Sequence, residues 1–251
     1  TIRTHLDRFP DVASTAFESW RPGFRHETEP HLRVDVTDID AVTDIARDIH
    51  AWGDPGAYRL FNVDFSREFR YCLENDVTPV PGRDLRVLDL DVSTPELTRE
   101  AGVRRVTVDG EPVCGDPATV ATAVETRIQS ADPDVLCVSS SDLLARLHEV
   151  ADREERDYQL GRVPGWQQLA GRSTYESYGR VGHSPARYNI PGRVIIDHAN
   201  TFFLEQSTLS GCLDLVERSG KPLQELAWAS IGNVLTAIQI HEARQRNVLV
   251  P

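Results

Sequence analysis

Hydrophobic positions along this chain switch between a period near two and a period near 3.6, with prolines and glycines between the runs. "HLRVDVT" alternates like a strand. "DIDAVTDIARDIHAW" places Val42, Ile45, Ala46 and Ile49 at helical spacing, with Asp38 or Asp40 positioned to cap it. "GDPGAYRLFNVDFS" reads as a turn followed by a strand, and "SREFRYCLENDV" as a short helix capped by Ser66. Residues from about Pro30 to Glu74 thus form a small α/β unit. "VTPVPGRD" breaks the pattern and reads as a linker, which sets a boundary near residue 83.

Beyond it, Leu85–Val92 reads as a buried strand through Leu85, Val87, Leu88 and Leu90. Asp89 and Asp91 lie two apart near its end, so a strand points both carboxylates to one face. The C-terminal ends of strands are where α/β proteins often bind ligands. "VRRVTVDGEPV" predicts a hairpin turning at Asp109 and Gly110. "DPATVATAVETRIQSADPD" is an amphipathic helix stopped by Pro133. "VLCVSS" is a buried strand, and "SDLLARLHEVADREERDYQL" a helix that Ser141 could cap. From Gly161 to Gly192 the text is irregular. "RVIIDHANTFF" then reads as a strand, "TLSGCLDLVERSG" as a helix ended by Gly220, and Leu223–Val248 as one more helix. Strands alternating with helices predict an α/β fold in two domains. No internal repeat is present.

Charge adds a habitat. Lys and Arg together number 27, Asp and Glu 39, and the net charge is −12. Lys221 is the sole lysine. Such an acidic, arginine-for-lysine chain fits a salt-rich cytosol, where charges are screened over short distances; an acidic protein from a GC-rich genome is the alternative. An acidic balance argues against nucleic-acid binding, but weakly in a halophile. No apolar run reaches membrane-spanning length, and the first residues lack a signal-peptide layout; the expectation is a cytoplasmic protein. The four cysteines form no C-x-x-C pair and read as reduced core thiols. The histidines form no zinc-binding pair. His198, beside Asp197, is either a metal ligand or an ordinary surface or packed histidine. Ser139–Ser141 lacks the G-x-S-x-G frame of a nucleophile elbow and reads as helix capping.

Four phrases, in order, resemble family B DNA polymerases. "YRLFNVDFSREFRYCLENDVTPVPGRDLRVLDLDVST" is similar to the passage from the N-terminal domain into the first motif of the 3′–5′ exonuclease domain. "ADPDVLCVSSSDLLARL" is similar to the second nuclease motif, "GRSTYESYGRVGHSPARYNIPGRVIID" to the strands that follow it, and "PLQELAWASIGNVLTAIQIHEARQRNVLVP" to the helix leading toward the polymerase domain. The resemblance covers about residues 30 to 251. It implies an N-terminal α/β domain over 1–83, then a ribonuclease-H-like, DnaQ-type exonuclease domain over 84–251, with a mixed sheet, flanking helices and a C-terminal linker helix. It also implies an archaeal, haloarchaeal type of polymerase relative. No palm motif lies in these residues, so the expectation is a module that does not itself synthesise DNA.

Nucleases of this family hold two Mg2+ or Mn2+ ions with carboxylates. The resemblance puts Asp91 at the first-motif Asp but Ser93 at its Glu, and a hydroxyl cannot replace that charge. In ungapped alignment Ser140 and Ala145 stand at the second-motif Asn and Asp, while Asp142 matches a non-ligand Asp; a gap of three instead moves Asp142 into the ligand position. The third motif, Tyr and Asp on a helix, has no counterpart; Asp214 is the only Asp in its interval. Asp91 is then either a remnant metal ligand or a strand-end residue capping a turn. For Asp89 the two readings cannot be separated.

The resulting expectation is a nucleic-acid-binding, exonuclease-like module with most nuclease carboxylates lost, acting in DNA replication or repair. Its partners would be single-stranded or primer-template DNA, a polymerase domain or a replication protein, and no membrane. The alternative is an active metal-dependent exonuclease using Asp89, Asp91, Asp142 and either Asp197 or Asp214. A structural domain without nucleic-acid affinity is the third reading. Arg172, Tyr175, Tyr178, Arg180, Arg187 and Tyr188 interleave planar cations with aromatics, a pattern that stacks bases and pairs phosphates, or else a hairpin packing its own tyrosines. Arg67 and Arg70, near Tyr71, could extend such a groove.

Overall fold

The computed structural model of the protein describes residues 2–171, 173–177, 180–184, 186–199 and 201–250. In chain order the elements are α1 (Ile2–Leu6), β1 (Val12–Trp20), β2 (Glu29–Val36), α2 (Ala41–His50), α3 (Arg67–Glu74), β3 (Val87–Asp91), α4 (Thr94–Leu97), β4 (Arg105–Val108), β5 (Glu111–Cys114) and α5 (Pro117–Ala131). They continue with β6 (Val135–Val138), α6 (Asp142–Arg153), β7 (Gln167–Ala170), β8 (Ser173–Ser177), β9 (Arg180–Ser184), β10 (Arg187–Asn189), β11 (Val194–Asp197), α7 (Phe202–Ser219), α8 (Leu223–Trp228) and α9 (Ile231–Gln245). The chain forms two compact units. One comprises Thr1–Pro79, Glu217–Pro222 and Gly232–Pro251, the other Val80–Val216 and Leu223–Ile231. The boundary expected near residue 83 compares with Pro79 here, and the C-terminal segment expected in the second domain groups with the first unit.

In the first unit β1 and β2 pair antiparallel, and Ile45 and Ile49 of α2 join Leu6 in a small core beneath them. α3 buries Phe69 and Leu73 against Ala237 of α9. The strand expected after Pro55 and Gly56 does not form. Asn62 adopts a left-handed φ of 58° that interrupts an extended run, and Arg70 donates to its carbonyl. Tyr58 and Leu60 pack on the small core instead.

The second unit is built on a five-stranded sheet in the order β11-β6-β3-β4-β5. β3, β6 and β11 run parallel, and β4 and β5 are antiparallel to their neighbours. The β4–β5 hairpin turns at Asp109 (φ 48°) and Gly110 (φ 81°), the two positive angles a tight hairpin turn requires. Pro112 sits in β5, the strand at one edge of the sheet. α5 starts where Asp116 accepts from the Thr119 amide at 2.8 Å, and ends at Asp132, whose φ of 43° is left-handed. α5 and α6 bury Val120, Val124, Ile128, Leu143, Leu144 and Leu147 against Leu88, Leu90, Leu136 and Val138 of the sheet. The strand expected to be buried from Leu85 is buried only on alternate residues: Val87 is 39% exposed.

The irregular stretch after Gly161 contains four strands. β7 pairs with β10, and β8 with β9 inside that pair in sequence, giving a β-arm. The single helix expected over Leu223–Val248 is two, α8 and α9. Thr201 donates its hydroxyl to the Ala227 carbonyl at 3.0 Å, and Arg187 donates to the Trp228 carbonyl at 3.0 Å. These carbonyls are the ones the next helical turn needs, so the helix stops there.

One ionic cluster pins the start of the parallel strands. Arg83 grips Asp134 with both terminal nitrogens at 2.8 and 2.7 Å, and the Arg86 amide donates to the same carboxylate at 2.9 Å. Arg162 bridges Asp132 and Asp134, and buried Arg193 donates to Asp132 and to the Leu160 and Pro133 carbonyls. The Asp134 main chain links the same strands: its amide donates to the Arg86 carbonyl, and its carbonyl accepts from Val194. The arginines hold both carboxyls well below the usual carboxylate range, Arg162 foremost for Asp132 and Arg83 for Asp134.

Asp134→Asn should cost about 2 kcal/mol, less than a fully buried pair because Arg83 and Arg86 are half exposed; thermal unfolding measures it. Because both carboxyls titrate lower in the folded chain, their contribution is complete above about pH 4 and is lost as pH falls below it. The melting temperature should therefore drop from pH 4 to pH 2, and drop less in Asp134→Asn.

Candidate functional site

Asp89 and Asp91 project from the exposed face of β3, whose residues alternate between exposed and buried. Leu88, Leu90 and Val92 take the core face. Asp89 lies opposite Cys137 of β6 in the parallel register. The buried Cys137 thiol donates to the Asp89 carboxylate; burial first, then the Asp89 charge and this bond, push the thiol up to about 12. The Asp89 amide donates to the Asp109 carboxylate at 2.8 Å, tying the strand to the hairpin turn.

Asp197 stands on the other face of the sheet. Register pairs Leu90 with Val138 and Val138 with Asp197, so Asp197 shares the core face and points away from the side that carries Asp89 and Asp91. It is buried at 5% exposure. One carboxylate oxygen accepts from the Ser141 amide at 2.8 Å and the other from the Ala199 amide at 2.8 Å. Asp197 thus fixes the loops after β6 and β11. Ser141 occupies the cap position of α6, but its hydroxyl does not cap the helix as expected: it donates to the Ala186 carbonyl at 3.1 Å, and the capping acceptor is Asp197. The Ser139 hydroxyl accepts from the Val92 amide at 3.0 Å and draws the loop after β6 to the end of β3.

The remaining motif residues adjoin these contacts or lie on the helices. Ser93 caps α4 through its carbonyl, which accepts from Glu96 and Leu97. Asp142 begins α6, within 3.4 Å of the Ser140 hydroxyl. Ala145 packs against the core, and Asp214 is exposed on α7. His198 is exposed in the turn after β11. Among the described residues no three His, Cys, Asp or Glu side chains are grouped to hold a metal ion. Cys137 and Cys212 are buried thiols, but Cys72 is half-buried and Cys114 exposed, so core burial holds for only two of the four.

Of the arm residues expected to meet nucleic acid, Arg172 and Tyr178 lie outside the described residues. Tyr175 in β8 and Arg180 in β9 are described through their backbone, Tyr175 opposite Gly182 and Arg180 opposite Ser177. Arg187 is half-buried and donates to the Trp228 carbonyl. Tyr188 is a correction: it is 6% exposed and stacks on Trp166 at 4.8 Å, so its ring belongs to the core and cannot receive a base. It lies on β10 opposite Gln168, two residues past Trp166, a pairing that the sequence alone does not show. In the first unit Arg67 pairs with Asp40, Arg70 pairs with Glu74 across one helical turn, and Tyr71 is exposed.

No protein-family model and no curated protein matches this sequence. Among solved structures, the family B DNA polymerase from the hyperthermophilic archaeon Pyrobaculum calidifontis is similar, with a TM-score of 0.69 over 99% of this chain at 17% identity. The chain has a family B DNA polymerase-like fold. It covers 44% of that polymerase, under half its length. No helix among the described residues is long and apolar enough to cross a membrane.

The two strand-end aspartates should separate cleanly by mutation. Asp197→Ala strips buried amides of their acceptors and should cost about 2–3 kcal/mol. Asp91→Ala on the exposed face should stay within about 0.5 kcal/mol of the parent. Urea unfolding of the two variants measures the difference.

Proposed function

We propose that this chain is a nucleic-acid-binding, exonuclease-like module of a family B DNA polymerase relative, inactive as a nuclease and serving DNA replication or repair. Its second unit is assigned a ribonuclease-H-like domain. The sheet order supports this: three antiparallel strands β5-β4-β3, extended by the parallel strands β6 and β11. The shared fold along the whole chain supports the relationship. The scattering of the carboxylates carries the inactive reading. Asp89 accepts a hydrogen bond from a thiol, Asp197 faces the opposite side of the sheet, and Ser93 and Ala145 stand where ligands are required. Two cations beside a scissile phosphate need several oxygen ligands at about 2.0–2.6 Å each, and the two exposed carboxylates of β3, Asp89 and Asp91, do not supply them.

The nucleic-acid surface is assigned to the arm, with Arg172, Tyr175, Tyr178, Arg180 and Arg187. Stacking on tyrosine and pairing with arginine suit a single strand of any sequence.

Labelled single-stranded DNA incubated with Mg2+ or Mn2+ at molar salt should remain intact. Robust degradation that disappears in Asp91→Ala overturns the inactive reading. Binding followed over a salt series should weaken linearly in log–log coordinates. Arg180→Ala should reduce that slope by about 1. Absence of binding at the lowest salt that keeps the chain folded makes it a structural domain instead.

A further inference from the structure

The stem of the arm is held by a row of rings. Trp166, immediately before β7, stacks on His148 of α6 with centroids 3.9 Å apart and planes 20° apart. It also stacks on Tyr188 of β10 at 4.8 Å, with planes 9° apart. Two near-parallel rings at such distances must take opposite faces of the indole. Tyr158 meets His148 edge-on at 4.9 Å and donates its hydroxyl to the Ala121 carbonyl of α5 at 3.2 Å. The row therefore runs from the helices to both strands of the stem, where Tyr188 pairs with Gln168 and Asn189 with Gln167. All four residues of β7 are exposed, so little else holds this strand.

His148 is the odd member. It is 7% exposed, and its buried Nε2 has no hydrogen-bond partner among the described residues. A phenylalanine would fill the same place without an unsatisfied polar atom. Burial pushes the imidazole down to about 4; Asp152 on α6 and Glu125 on α5 oppose that less strongly. Arg156 lies over Tyr158 at 4.9 Å, a cation already on the neighbouring ring. Tyr158, whose hydroxyl burial pushes above its usual range, and Tyr188 are the other titratable groups against the row.

We infer that this ring row is a proton-sensitive latch: neutral His148 holds Trp166, and with it the stem of the arm, against α6, and a proton on the imidazole releases the stem. The opened imidazole meets water and regains its ordinary value of 6.5. Because the closed form titrates lower, the latch is fully effective above that value and weakens as pH falls from 6.5 toward 4. Over that window the opening constant rises by up to roughly ten-fold per pH unit and then levels off. The latch is independent of whether the arm binds nucleic acid, and its test uses no DNA.

Hydrogen exchange of the full chain, corrected for intrinsic rates, should show stem peptides around Trp166–Ala170 and Arg187–Ile190 losing roughly ten- to thirty-fold protection from pH 7 to pH 5. Peptides of β3 and β6 should hold. His148→Phe should keep the stem protected at both pH values, and Trp166→Leu should leave it open at both. Ring NMR of the unmodified protein supplies a second reading, in which the Trp166 indole signal should follow the His148 titration. Flat stem protection from pH 7 to pH 5, an equal loss in β3 and β6, or an indole signal indifferent to the His148 titration each overturns the latch.

Discussion

The pairing register of β3, β6 and β11 decides what this chain's acidic residues can do, and the Asp132–Asp134 ion cluster fixes that register. Asp134 joins the strands twice, by its main chain and by its carboxylate, and Arg83, Arg86, Arg162 and Arg193 converge on it and on Asp132. A strand's side chains alternate, so a slip of one residue would exchange every face. With the register held, Asp89 and Asp91 face outward and Asp197 faces the helices. The cations come from three separated stretches of the sequence, around Arg83 and Arg86, at Arg162 and at Arg193, and the cluster closes only when those segments have come together. It therefore reports the completed fold of the second unit.

Two acidic residues of these strands, Asp197 and Asp89, accept hydrogen bonds within the unit. Asp197 saturates two amides and organises two loops, and the Asp89 carboxylate accepts a hydrogen bond from a thiol. Each role needs a carboxylate in a fixed place. The surrounding serines work the same way, joining main chains across the ends of β3 and β6 and near the arm. A polymerase-like fold thus persists while the polar groups at the strand ends stitch the unit together.

Much of the second unit was legible in the residues. α5, the β4–β5 turn and the hydrophobic run of β6 depend on local chemistry: Asp116 ahead of Pro117, the Asp109–Gly110 pair, and consecutive buried aliphatics. The misreadings concern long-range partners. Nothing near Ser141 tells that its cap comes from Asp197, or that its hydroxyl turns to Ala186. The break between α8 and α9 follows from Thr201 and Arg187, both distant in sequence. Tyr188 resembles a surface aromatic among arginines until Trp166 is seen against it. β1 escaped notice because Val12–Trp20 mixes exposed and half-buried positions without a regular period. Of the candidate site, the two-apart spacing of Asp89 and Asp91 on one strand face could be read directly, whereas the opposed orientation of Asp197 required the sheet.

Pro112 has a consequence for how these molecules coexist at high concentration. It occupies the outermost strand of the five-stranded sheet and has no amide hydrogen to offer a neighbour. Many proteins keep such borders apart by like charge, which dissolved salt blunts. A missing hydrogen is untouched by ionic strength, so sheet-to-sheet joining along this border stays blocked in brine as in dilute buffer.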